Sequence, residues 1–253
     1  EIAFQSLDAN ATARLTLTGE ADVELKNLNT TDSVGTNTGQ IGNLVVNTSD
    51  YTGTLTVTGG SDSLELDDTE SLTFVGDGDI VLDTDSDNDG VDGGEDLSSI
   101  DASEHTGDLT LGKVKSIDQD DFSFEGANGG VTQMQLIDST LADSDDASWS
   151  FDFSNAAVDS VFEIGSENGP ANTWGAGSNT PSLSIDLGDN TELLISEDTD
   201  WTDLDLSITG NSAANPIVLG EDVELNLTAE QANNLNIVPA AGADVATIDV
   251  NIE

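Results

Sequence analysis

Short runs in which apolar and polar residues alternate, each closed off by Gly, Asp or Asn, constrain this chain more than any other feature of its sequence. Leu15-Thr-Leu17-Thr-Gly19 and Val23-Glu-Leu25 open the series, and Leu204-Asp-Leu206-Ser-Ile208 is a late member. A period of two sends alternate side chains to opposite faces of a strand, and the runs are too short for amphipathic helices. The runs also recur. Gly19 to Leu25 (Gly-Glu-Ala-Asp-Val-Glu-Leu) is answered by Gly76 to Leu82 (Gly-Asp-Gly-Asp-Ile-Val-Leu), and Asn47-Thr-Ser-Asp-Tyr-Thr-Gly53-Thr-Leu-Thr-Val57 by Asp101-Ala-Ser-Glu-His-Thr-Gly107-Asp-Leu-Thr-Leu111. The period is about 55 residues and each copy holds several strands, with a weaker echo at Gly220 to Leu227. A unit that cannot bury its own apolar face must stack on its neighbour. The prediction is an all-β fold of many short strands: a β-solenoid of the parallel β-helix kind, or a stacked β-sandwich.

Four segments follow from the pattern: an N-terminal strand or arm (1–13), the two-copy repeat region (14–117), an aromatic-rich section with long polar loops (118–202) and a C-terminal β section (203–253). The middle section holds eight of the eleven aromatic residues, including Phe122-x-Phe124 and Trp149-x-Phe151-x-Phe153, whose spacing puts each set on one strand face. These read as core or as a seam between sheets; a sugar-binding aromatic platform is the competing reading, with Trp174 as its exposed ring. Leu227 to Leu235 reads as a short helix with Thr228 as N-cap, and Val245 to Ile252 as a terminal strand. Ile2-Ala3-Phe4 either begins the sheet or adds to the sheet edge of a neighbouring subunit.

One stretch carries recognisable chemistry. From Asp83 to Asp96 the chain reads Asp-Thr-Asp-Ser-Asp-Asn-Asp-Gly-Val-Asp-Gly-Gly-Glu-Asp. Counting Asp85 as position 1 puts Asp87 at 3, Asp89 at 5, Gly90 at 6, the Val91 carbonyl at 7 and Asp96 at 12, the spacing of an EF-hand-type calcium loop. Short acids at alternate positions converge on one hard cation, and the last acid closes its shell. Asp83 and Asp92 are further candidate oxygens. No amphipathic helix flanks the stretch, so these fourteen residues resemble the solitary calcium loops of dockerins and thrombospondin type 3 repeats, and the resemblance implies bound Ca2+. The competing reading is a solvated acidic turn.

Charge narrows the partners. Fifty-one acids against Arg14, Lys26, Lys113 and Lys115 leave a formal charge of −47. Such a surface repels nucleic acid and anionic membranes, and its self-repulsion calls for divalent cations or salt. With no cysteine, disulfides and thiolate sites are excluded. No apolar run approaches the roughly 18 residues of a membrane span, and no basic segment with an apolar run opens the chain at Glu1, so an exported chain is expected to be a mature form or to take its signal from outside this sequence. The Ile100 to Thr110 run, with the Leu-Thr-Leu-Thr-Gly and Gly-Gly-Ser-Asp-Ser-Leu segments, resembles the repeats of bacterial and archaeal surface-layer proteins and of calcium-dependent secreted proteins of the RTX-associated kind. The nonapeptide Gly-Gly-x-Gly-x-Asp of RTX rolls is absent; Gly59-Gly60-Ser-Asp62 is a fragment of it.

Catalytic patterns are missing: no P-loop, zinc constellation or G-x-S-x-G occurs. The sole histidine, His105, occupies the place of Tyr51 in the repeat and reads as a turn residue. Asn10, Asn29, Asn47 and Asn226 fit N-x-[ST]. The expectation is a non-enzymatic, secreted, cell-surface structural subunit of a surface layer, filament or matrix, self-assembling and calcium-stabilised. The alternative is an adhesin module that binds glycans or surfaces.

Overall fold

The computed structural model describes residues 2–3, 11–26, 28–29, 42–58, 62–66, 69–82, 89–93, 96–144, 146–165, 171–175, 179–242 and 246–251. Each alternating run is a strand, and neighbouring strands pair parallel, as β2 (Thr12–Gly19) does with β5 (Asn43–Tyr51) and β5 with β8 (Ser71–Gly76). Parallel neighbours cannot be joined by a tight hairpin. The chain therefore circles once before each strand lies on its predecessor, which makes the fold a β-solenoid.

The first sheet continues through β11 (Ser99–His105), β13 (Asp121–Glu125), β16 (Ser148–Asp152), β19 (Ser182–Asp186) and β22 (Asp205–Thr209), in chain order. The second sheet has thirteen strands. In its early turns it is split in two: β3 (Val23–Leu25), β6 (Thr54–Val57) and β9 (Asp79–Leu82) form one column, and β1 (Ile2–Ala3), β4 (Leu28–Asn29), β7 (Asp62–Glu65) and β10 (Asp89–Asp92) the other. Both columns end on β12 (Leu109–Lys115), whose first half pairs with β9 and whose second half pairs with β10. From there the sheet is single through β14 (Thr132–Leu136), β17 (Ser160–Ile164), β20 (Thr191–Ile195), β23 (Ile217–Leu219) and β25 (Ile237–Pro239). Among the described residues a third side appears in the later turns, as β15 (Thr140–Leu141) with β18 (Thr173–Trp174), then β21 (Thr199–Asp200), β24 (Glu224–Thr228) and β26 (Thr247–Asn251). The two long sheets run across positions 117/118 and 202/203.

β5, β8 and β11 begin at 43, 71 and 99, so the repeat of about 55 residues spans two turns of the solenoid. Ile2–Ala3 pair with β4 of the same chain.

Because pairing is in register, like side chains stack. Ala13, Leu44, Leu72, Ile100, Phe124, Phe151, Ile185 and Ile208 form one inward column of the first sheet. Phe151 and Phe162 stack at 4.7 Å, and Trp149, Trp174 and Trp201 meet edge to face at 6.2 and 6.1 Å. All ten described aromatic residues are buried, which makes the middle section core. Trp174, 7% exposed, is no exposed platform.

The Thr-Gly-Asp-Leu motif builds a corner. Gly53, Gly78, Gly107 and Gly130 lie one above another, and a Cβ on Gly130 would sit 1.9 Å from the Gly107 carbonyl oxygen. Beside them the Asp79 carboxylate accepts from Asp108 N–H at 3.0 Å, and Asp108 from Val131 N–H at 2.9 Å, so each turn's acid satisfies the next turn's backbone. Asp198 does the same for Glu224 N–H at 2.8 Å, which explains the third echo as the same chemistry at another corner.

The helix α1 (Ala229–Ala232) is shorter than the sequence suggests, because Leu227 and Thr228 still belong to β24. Thr228 caps it, and Gln231 completes a capping box. No helix among the described residues is long and apolar enough to cross a membrane.

Candidate metal centre

The acidic stretch joins β9 to β10, on the last turn before the two columns of the second sheet merge into β12. Asp83, Asp85 and Asp87 lie outside the described residues. Asp89 opens β10, in register with Asp62 of β7. Val91 is fully buried between Leu64 and Val114. Asp92 faces Lys115, carboxylate to ammonium at 3.4 Å, both about one-fifth exposed. Asp96 follows β10 in a half-buried turn. Asp89 to Asp92 are thus held in a sheet with strands on both sides.

Gly90 has a reason of its own to be glycine. It lies inside β10, where a Cβ would come 1.7 Å from the Leu111 carbonyl oxygen. Strand packing demands the small residue here, independently of any metal. Among the described residues no three of His, Asp and Glu form a group able to hold a metal ion.

A second acidic feature was hidden from sequence reasoning. On the outer face of the first sheet, Asp101, Glu125, Asp152 and Asp186 stand in register on successive strands, and Arg14 heads the same column three strands before Asp101. Next to them run Ser71, Ser99, Ser123, Ser150, Ser184 and Ser207. Strands about 4.8 Å apart hold these carboxylates closer than a Debye length. Burial raises the Glu125 pKa above the usual glutamate range, and the charges of Asp101 and Asp152 push it the same way. Turn lengths hid the column: strand starts are 22 residues apart from 99 to 121 and 34 apart from 148 to 182, so no fixed period aligns these acids.

His105, Tyr51 and Glu197 are buried ionisable groups. His105 is not in a surface turn: it ends β11, fully buried, with its ring 6.5 Å from Phe74 and neither ring nitrogen hydrogen-bonded. Burial lowers its pKa, and the carboxylates of Asp79, Asp77 and Asp108 oppose the shift. Tyr51 ends β5 in the equivalent place two turns earlier, its hydroxyl donating to the carbonyls of Ala21 (2.9 Å) and Thr54 (2.8 Å). Glu197, on the third side, accepts from Asn172 N–H and Nδ2–H at 3.1 and 2.9 Å, and burial raises its pKa against those bonds. These bonds tie Glu197 to Asn172 on the neighbouring turn.

Comparison of the chain with protein-family models, with curated proteins and with solved structures finds no match.

Proposed function

We propose that the chain is a secreted structural subunit of a surface layer, extracellular filament or matrix, self-assembling and stabilised by calcium. The observation that supports this reading most is the solenoid itself. Its stacked apolar columns run through every described turn and leave part-exposed apolar side chains on the first and last of them. Leu15 and Leu17 are half-buried at one end, and Ile248 and Val250 at the other are 44% and 37% exposed. A rod with regular walls and open parallel edges suits end-to-end or lateral packing. Calcium enters through the 83–96 spacing and through the charge of −47, which subunits brought together must neutralise.

Negative-stain electron microscopy tests the reading. Ordered polymers or sheets are expected in millimolar calcium, dispersing in chelator; monodisperse particles in both would overturn it.

A further inference from the structure

From β2 to β22 each turn lays a strand of the first sheet on the one before. The next turn breaks the rule. After β24 the chain enters α1 where another strand of that sheet would lie, and it rejoins the second sheet at β25. β22 consequently has β19 on one side and no strand on the other among the described residues. Gln231 of α1 donates to the carbonyls of Trp201 and Leu204 at 2.7 and 2.9 Å, pinning the helix at the start of β22, and Asn236 N–H donates to Asn211 Oδ1 at 2.6 Å just past its end. Between these two ties a groove of ≈ 460 Å³ separates β22 from the returning chain. Its floor is Leu204, Leu206, Ile208 and Leu235, and its banks carry the exposed acids Asp205 and Glu230.

We propose that this groove is a strand-addition site for an extended segment of another protein in which apolar residues alternate with Lys or Arg. A strand added parallel to β22 would set alternate side chains on Leu206 and Ile208, as Leu183 and Ile185 are set beneath them. Its remaining side chains emerge between Asp205 and Glu230, where carboxylates on both banks select cations. Backbone pairing supplies affinity and the alternate pockets supply specificity. A second copy of the chain cannot offer such a segment. Of its four bases only Lys113 and Lys115 share a strand, and that strand, β12, is already paired on both sides.

Fluorescence anisotropy with a short labelled peptide of alternating Leu and Lys, at physiological salt, tests the site. A peptide of the same composition with its leucines grouped at one end is the control for bulk charge attraction. The alternating peptide is expected to bind about tenfold or more tightly than the grouped one, and the charge-neutral substitution Ile208→Asn to remove that advantage. Amide exchange reads the same site without a substitution: Leu206 and Ile208 should gain protection only with the alternating peptide. Equal affinity for both peptides, no protection at those amides, or an undiminished advantage in folded Ile208→Asn protein would overturn the proposal. Loss of self-association in Ile208→Asn without peptide would do so too, since it would give the groove to a second copy.

Discussion

His105 is an imidazole buried in an acidic protein, and the sign of its effect on stability follows from its burial. Its pKa lies below the ordinary value in the folded state, so the unfolded chain takes up the proton first. Stability is then full above the unfolded pKa of about 6.5 and is lost as pH falls towards the lower, folded value. We predict that His105→Phe, which keeps a ring against Phe74, loses less melting temperature than wild type between pH 7.5 and 5. Parallel curves for the two proteins would show that the imidazole proton is not involved. Glu197 acts in the opposite sense, since its raised pKa makes its contribution fully present below the ordinary glutamate range and lost as pH rises. Sequence reasoning placed His105 in the repeat beside its counterpart Tyr51. It missed the burial, because a polar residue at a strand end looks the same whether the next turn covers it or not.

At the scale of the element, the 83–96 stretch is half sheet and half connection. Asp89, Val91 and Asp92 are paired with β7, and Val91 and Asp92 with β12 as well, so part of the ordering cost of the stretch is met by the sheet. Bound calcium would add stability by mass action, about 2.7 kcal/mol at a free concentration a hundred times the dissociation constant. We predict a calcium-dependent rise in melting temperature for the wild type that is largely lost in the Asp87→Ala, Asp89→Ala double variant. An equal rise in both proteins would place the calcium effect elsewhere. The spacing of acids was readable in the sequence; the second reason for Gly90, its contact with Leu111, was not, since Leu111 lies in the next turn.

Taken whole, the molecule stacks like on like, which suits apolar columns and penalises charged ones. The Asp101, Glu125, Asp152 and Asp186 column concentrates part of the −47 charge on one face. Charges closer together than about 8 Å are incompletely screened at physiological ionic strength, and added salt shortens that distance. We predict that the chelated protein gains melting temperature steadily as monovalent salt is raised; one temperature across the whole range would show that distributed repulsion is not a destabilising force here. The sequence by itself determined that this chain is all-β and built of short repeating strands, because period-two alternation and glycine-acid corners are local properties. It also located the cap of α1, since a capping box is four consecutive residues. Only the tertiary structure decided that the strands run parallel, that the repeat of about 55 residues spans two turns, and which acids share a column. Each of those depends on which residues meet one turn later, and turns of unequal length erase that correspondence from the linear order.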